Sequence, residues 1–412
     1  MDKPQVSPNC YMKSFQSRSR SVAVLGLLLS VPFSGWSQSF THADARNALD
    51  HCVEQYKGMA ATLPSADRFP KTTSPEDGSL EVCQSWWWVC GFYPGAMWYL
   101  YEYTGDDYIR NQAEMRTMAI APEQWNVWTH DLGFMLYCSF GNGYRLTGQS
   151  EYRRIMLKGA DSLCTRFHPE TGVIQSWESG EQWEYPVIID NMMNLEFLFW
   201  ASKVSGNPRY REIALTHANT TIENHFRDDY SSYHVVDYDP VTGAVVKRQT
   251  AQGMADDSAW ARGQTWGLYG YTMCFRETRN ARYLEQAQHI ADFILSHPNY
   301  PEDGVPYWDF NAPGNAPELR DSSAAAIMAC ALLELSDYVE GDQAEAYKQA
   351  GLKILKTLSG PEYLAEIGTN NHFLLKHGVG HLPANSEVDV PLSYGDYYYV
   401  EALMRYLDMQ EG

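Results

Sequence analysis

Cysteine is sparse here, at 8 in 412 residues, and no two stand at CxxC spacing. No HExxH occurs either, so the chain offers no motif for structural or catalytic zinc. A chain this long needs no disulfide staples, and the cysteines read as small core hydrophobes. Positive charge is also short: 31 Lys and Arg face 51 Asp and Glu, for a net charge of −20. Such a surface repels polyanions at long range and excludes nucleic acid as a partner, although a few focused cations can still hold a small anion. Past residue 38 there is no linker, no low-complexity tract and no apolar run long enough to cross a bilayer.

What is present begins with an address. Lys13, Arg18 and Arg20 precede the apolar run from Val22 to Phe33, which ends in the small residues Ser34, Gly35 and Ser37. This pattern predicts a secretory signal over residues 1–38, cleaved near Ser37, and a mature protein that is exported to the periplasm. No Cys follows the run to take a lipid, so no membrane contact is expected after cleavage. Loss of Lys3, Lys13, Arg18, Arg20 and Asp2 would carry the net charge from −20 to about −23. Residues 39–412 are then expected to form one domain.

That domain carries a repeat. An apolar helix end, a polar turn, a Tyr and an Ala-rich amphipathic helix recur around Tyr108, Tyr152, Tyr210, Tyr283 and Tyr347, at intervals of roughly 44 to 73 residues. Gly105, Gly148 and Gly206 occupy the left-handed position that ends a helix. Each segment therefore predicts a tight helical hairpin. The helices before the last four turns (Phe134 to Tyr144, Met192 to Ala201, Trp260 to Phe275, Ser323 to Leu335) are apolar on most faces. Those after the turns are apolar on one stripe, as at Tyr283, Ala287, Ile290, Ala291 and Ile294. Buried helices alternating with covering helices predict an all-α fold, an (α/α)6 barrel of six inner and six outer helices. Ala45 to Met59 and Val400 to Leu407 would contribute to its first and last pairs.

If every inner-to-outer turn is tight, every long loop falls on the opposite rim, where the inner helices begin. Those beginnings carry Thr129-His130-Asp131, Ile189-Asp190-Asn191, Asp256-Asp257-Ser258, Asp321-Ser322-Ser323 and Tyr394-Gly395-Asp396. Helix capping accounts for Asp257, Asp321 and Asp396. Asp131 and Asp190 instead predict a carboxyl pair converging on a sugar, the usual equipment of glycosidic chemistry. Thirteen Trp, several of them in the rim loops (Trp86, Trp87, Trp88, Trp177, Trp183, Trp260, Trp266), suit sugar stacking. Arg262 is the leading cation for a substrate carboxylate. Its alternative is a salt bridge to Asp256 or Asp257. His234 reads equally as a site residue or a plain loop histidine.

Taken in order, Trp88-Val-Cys-Gly91-Phe92, Thr129-His130-Asp131, Asp190-Asn191-Met-Met-Asn194, Ser232-Tyr-His234, Gln252-Gly253, Trp260-Ala-Arg262-Gly-Gln264-Thr-Trp266 and Tyr394-Gly-Asp-Tyr-Tyr398 resemble the unsaturated glucuronyl hydrolases of glycoside hydrolase family 88. The resemblance covers nearly all of the mature chain and implies the same barrel. It implies as substrate a short oligosaccharide, left by a polysaccharide lyase, whose non-reducing end is a 4,5-unsaturated uronic acid. Hydrolysis would proceed by hydration of the C4=C5 vinyl ether, with neither cofactor nor metal. By match to the family motif, Asp190 is the proton donor and Asp131 stabilises the cationic transition state. Trp88, His130, Trp177, His234, Thr250, Gln252, Trp260, Arg262 and Trp266 would surround the unsaturated sugar. The apolar flanks Ile188-Ile189 and Met192-Met193 could keep Asp190 protonated.

Family members that accept a 6-sulphated neighbouring sugar carry two Ser and a Lys in the loop that here reads Gly378-Val-Gly-His381-Leu-Pro383, which sets sulphate preference apart from the rest of the resemblance. Rival readings are an unsaturated rhamnogalacturonyl or galacturonyl hydrolase, a barrel lyase, and a helical glycan-binding protein without catalysis. The oligomeric state stays open.

Overall fold

Glycine and short polar side chains set the connectivity. In a computed structural model that describes residues 40–409, helix α2 (Phe92–Thr104) stops at Gly105, whose φ of 66° suits a residue without Cβ. Two residues later α3 (Asp107–Ala119) starts, its first turn capped by the Asp106 carboxylate accepting from the Tyr108 N–H. Gly148 and Gly206 end α4 (Asn142–Thr147) and α6 (Leu195–Ser205) in the same way. After them come α5 (Ser150–Cys164) and α7 (Pro208–Asn224). At the fourth hairpin, between α8 (Ala261–Thr278) and α9 (Ala281–Ser296), Arg279 takes the left-handed position instead. The fifth joins α10 (Ser322–Ser336) to α11 (Gly341–Leu358).

All five hairpins read from the sequence are thus present, and each runs from an inner to an outer helix. Helix α2, the π-helix Gly133–Gly141 with α4 that continues it, α6, α8, α10 and α12 (Ser393–Asp408) pack side by side, and α12 returns to α2 to close the ring. Helix α10, apolar all round, is buried along its whole length. Helix α1 (His42–Thr62), started by a Thr41–Asp44 capping box, lies outside the ring against α2 and α12. With α3, α5, α7, α9 and α11 it makes six outer helices around six inner ones, the (α/α)6 barrel. The described residues belong to one compact unit. The expected signal segment lies outside the described residues.

Two features depart from the sequence reading. The inner helix expected from Phe134 opens as a π-helix, Gly133–Gly141, before continuing as α4. The rim loops also carry strands where only loops were expected. These are β1 (Phe69–Thr73) with β2 (Leu80–Cys83), β3 (Phe167–His168) with β4 (Val173–Ile174), a sheet of β5 (Pro186–Ile188), β6 (Val235–Tyr238) and β7 (Val245–Gln249), and β8 (Gly378–His381) with β9 (Ser386–Val390). None exceeds five residues, too short to print a period-two pattern. They matter because they position the site: the antiparallel register Ile188↔Val235, continued by the Ile189 N–H donating to the His234 carbonyl at 3.1 Å, sets His234 beside Asp190.

Of the three aspartates read as caps, only Asp321 is one, accepting from the Ser323 N–H at 3.0 Å. Asp396 lies inside the first turn of α12, where it accepts the Leu374 and Leu375 N–H groups at 2.9 Å each. Asp257 is exposed, and Trp260, not an Asp, is the N-cap residue of α8, with no side-chain cap.

Candidate active site

Along the barrel axis Phe92, Phe134, Trp266 and Tyr398 pack ring to ring at centroid distances of 5.2 to 5.5 Å, and they form an apolar floor. Above it, at the rim with the long loops, a pocket of about 230 Å³ is walled by Trp88, His130, Asp131, Trp177, Asp190, Gln252 and Arg262. Seven residues singled out in the sequence thus meet in one cavity, from four rim segments. Trp128, Thr129, Ser176 and Ile188 complete its wall.

Asp190 sits in the 3₁₀ turn Ile189–Asn194 that leads into α6 and is only 8% exposed. Ile189 and Met192 beside it are fully buried. Burial penalises its charged form and pushes its pKa up to about 7, against the opposing pull of Arg262. Its Oδ2 has no hydrogen-bond partner. A carboxyl in this setting is poised to carry a proton near neutral pH and to let it go.

Asp131, in the turn that leads into the neighbouring inner helix, is surrounded differently. The Thr129 hydroxyl donates to its Oδ2 at 2.9 Å, and His130 Nε2 lies 3.2 Å from its Oδ1. Burial keeps the His130 pKa below its ordinary value. The two carboxyl-bearing segments are coupled by Asn194, whose Oδ1 accepts the Gly133 and Phe134 N–H groups at 2.9 and 3.3 Å. That side chain supplies the cap which the start of the π-helix lacks, and π-helical turns are frequent at functional sites.

His234 is buried beside Asp190 rather than exposed in a loop. Its Nδ1 accepts from the Ala251 and Gln252 N–H groups at 3.0 and 3.1 Å, which leaves the ring proton on Nε2. Nε2 lies 3.7 Å from Asp190 Oδ2. Burial, with Arg262 nearby, holds the His234 pKa well below its ordinary value, so the ring is a neutral donor facing the acid. Thr250 acts one step back: its Oγ1 accepts the Gly253 N–H at 2.7 Å and shapes the loop that presents Gln252. The Gln252 amide in turn donates to the Gly380 carbonyl at 2.9 Å.

Arg262 lines the pocket but is heavily engaged. Its Nη1 donates to Asp321 Oδ2 at 2.9 Å and to the Val379 carbonyl, and its Nη2 donates to the Gly380 carbonyl at 2.6 Å. The salt-bridge partner is therefore neither Asp256 nor Asp257 but Asp321, the cap of α10, which no sequence spacing could indicate. Of five guanidinium hydrogens, Nε–H and one on Nη2 remain for a ligand. Trp260, 3% exposed, lies between Arg262 and His234 with both groups 4.5 Å from its ring. Trp260 and the fully buried Trp266 therefore stand behind the pocket wall and shape it. The Trp266 indole N–H faces Asp190.

A larger cavity, about 460 Å³, opens between the inner helices and is lined by Tyr137, Trp200, Glu196, Glu401 and Arg405. Its acids are paired, Glu196 with Arg276 and Glu401 with Arg405, so it holds nothing comparable to the free carboxyl of Asp190. Trp128 and Ser176 were missed in the sequence. Trp128 directly precedes the Thr129-His130-Asp131 motif, a signal that could have been used, whereas Ser176 had none beyond its neighbour Trp177.

Residues 64–406 match the profile of Glycosyl Hydrolase Family 88. An unsaturated glucuronyl hydrolase from Formosa agariphila is 43% identical over 342 residues, 82% of this chain and 85% of that protein. An unsaturated chondroitin disaccharide hydrolase from Streptococcus pyogenes is 34% identical over 88% of this chain and 91% of its own length. Among solved structures, an unsaturated glucuronyl hydrolase specific for heparin superimposes with a TM-score of 0.86 at 47% identity, over 89% of this chain and 97% of that one. With sequence, fold and the carboxyl-bearing pocket in agreement, the chain belongs to glycoside hydrolase family 88.

Proposed function

We propose that this enzyme removes a 4,5-unsaturated glucuronic acid from the non-reducing end of glycosaminoglycan-type oligosaccharides released by a lyase. The observation that carries this reading is Asp190: a buried carboxyl, raised to about 7 and without a partner on Oδ2, at the wall of a pocket that also contains Asp131. Protonating carbon demands an acid that is still protonated at working pH. Asp190 gives its proton to C4 of the vinyl ether, and positive charge develops at C5 and the ring oxygen. Asp131, as a carboxylate, faces that charge and accepts sugar hydroxyls. Water adds at C5 and returns a proton to Asp190. The resulting hemiketal opens, breaking the bond to the next sugar.

The neutral His234 Nε2–H supports the same cycle, since it can donate to Asp190 once the carboxyl has become a carboxylate. Trp88 and Trp177 offer aromatic walls for the sugar, and the free hydrogens of Arg262 can reach its carboxylate. Export to the periplasm is part of the proposal and rests on the basic and apolar pattern of residues 13–37. The test is to incubate the protein with unsaturated disaccharides of chondroitin, hyaluronan and heparan type and follow the vinyl-ether absorbance. Its loss with at least one supports the reading. Persistence with all three, alongside turnover of an unsaturated galacturonyl disaccharide, would move the enzyme to the rhamnogalacturonan side.

A further inference from the structure

The cavity of about 460 Å³ between the inner helices takes no part in the chemistry above. Its lining includes the last turns of α4 (Tyr144, Arg145) and α6 (Trp200, Lys203), so it opens on the rim of tight hairpins, away from the long loops. Phe134 borders both cavities, and the aromatic floor to which it belongs separates them. Protein interiors leave few voids larger than a water molecule, whereas this space has the size of a small-ligand site. Its walls are rings held in place. Tyr137 packs against Trp200 at 6.2 Å and Trp200 against Tyr144 at 5.8 Å, while Tyr99 and Tyr397, from α2 and α12, meet at 5.7 Å. A Cβ on Gly141 would come within 3.0 Å of the Tyr137 ring, and one on Gly95 within 2.7 Å of the Tyr397 ring, so these two glycines make room for the rings. Tyr99, Tyr137, Tyr144 and Trp200 stand on inner helices and are still only half-buried, because they face this space.

The polar groups between the rings have acceptor capacity to spare. Glu401, 2% exposed, takes the Tyr269 hydroxyl and two Arg405 N–H groups on Oε1 at 2.6 to 2.8 Å, and its Oε2 has no hydrogen-bond partner among the described residues. Glu196 is arranged alike: Arg276 Nη2 donates to Oε1, and Oε2 is unpartnered among the described residues. Arg405 Nη1 and Arg276 Nη1 both donate to Glu334, and Arg145 grips both oxygens of Glu102. With both wall arginines tied to carboxylates, an ion gains little here. Lys203 is exposed at the mouth, where water and salt screen it. Open acceptor oxygens between aromatic faces suit a ligand that brings hydroxyl donors and an apolar ring face.

We propose that this cavity is a second carbohydrate site, on the far side of the aromatic floor from the reacting pocket. It takes a neutral mono- or disaccharide, which stacks on Trp200 and Tyr137 and donates hydroxyl hydrogens to Glu401 and Glu196.

The experiment titrates the protein with N-acetylgalactosamine, glucose, glucuronic acid and tetramethylammonium by ligand-observed NMR, and repeats the titrations in Trp200→Leu and Trp177→Leu. At least one neutral sugar should bind. Trp200→Leu should weaken that binding about fivefold, the worth of one aromatic contact. The same binding should survive Trp177→Leu, which alters only the wall of the reacting pocket. If circular dichroism shows that Trp200→Leu does not fold, Tyr144→Leu takes its place with the same expected loss. Absence of binding by either neutral sugar overturns the proposal. Binding that Trp177→Leu removes and Trp200→Leu leaves intact belongs to the reacting pocket and overturns it too. A Trp200-dependent preference for glucuronic acid or tetramethylammonium would make the ligand an ion and refute the neutral-sugar assignment.

Discussion

Asn194 Oδ1 accepts the Gly133 N–H at 2.9 Å, so the helix that follows Asp131 is held by a side chain only four residues beyond Asp190. The fit is close: a Cβ on Gly133 would come within 2.5 Å of that oxygen and 2.7 Å of the Asn194 Cα. Asn194→Ala leaves two buried N–H groups without an acceptor, at a cost of about 1–3 kcal/mol. Gly133→Ala forces the two helices apart. Both variants should lower the denaturation midpoint and reduce kcat/KM together. A variant that loses activity at unchanged stability would instead give Asn194 a direct part in binding.

The pKa of Asp190 sets the pH dependence. Catalysis needs the protonated acid, so kcat/KM should fall tenfold per pH unit above about 7, with a slope of one proton. Stability follows the same proton. The folded-state pKa is raised above the ordinary 3.8, so the stability it contributes is full below about pH 4 and is lost as pH climbs through 7. Asp396, also raised to about 7 by burial, acts in the same direction. Comparing wild type with Asp190→Asn isolates Asp190. Between pH 4 and 8 the difference in unfolding free energy should swing toward the variant by on the order of 4 kcal/mol. A pH-independent difference would mean that Asp190 is ionised throughout.

Arg262 ties three rim elements together through Asp321, Val379 and Gly380. Arg262→Ala leaves Asp321 buried without its cation, a loss of about 3–5 kcal/mol. It should also lower kcat/KM at least about tenfold, some 1.4 kcal/mol of transition-state stabilisation. Chemical denaturation and disaccharide kinetics on the same preparation separate the two effects. Intact stability with lost activity would indicate that substrate, rather than the rim, is the main partner of Arg262.

The barrel was legible because its signals are local. Gly105, Gly148 and Gly206 mark helix ends within a few residues, and the all-round apolarity of α10 distinguishes an inner helix from an outer one. Asp131 and Asp190 were legible as a pair because that argument places all long loops on one rim. What stayed hidden depends on distant pairing. The strands β5 and β6, which set His234 beside Asp190, join residues far apart in sequence, and the Arg262–Asp321 bridge spans two inner helices. Neither leaves a periodic trace. Trp260 and Trp266 read as sugar platforms by composition, yet both are buried behind the wall, since a Trp at a helix start serves packing as readily as stacking.

Export is open to a direct mass measurement. Protein recovered from the periplasm should begin close to residue 38, following the small residues that end the apolar run. A chain that retains residues 1–36 would contradict export by signal cleavage.

The central claim is that Asp190 delivers a proton to carbon while Asp131 serves as its charged counterpart. Asp131→Asn should weaken both affinity and turnover, because the group that faces the sugar loses its charge. Asp190→Asn keeps shape and burial but cannot give the proton. The deciding measurement is the vinyl-ether absorbance of an unsaturated disaccharide incubated with Asp190→Asn, with binding checked by calorimetry. The account predicts that the sugar binds and the absorbance persists. Retention of more than about a tenth of wild-type kcat, a deficit under roughly 1.4 kcal/mol, would contradict it and move the proton donor elsewhere.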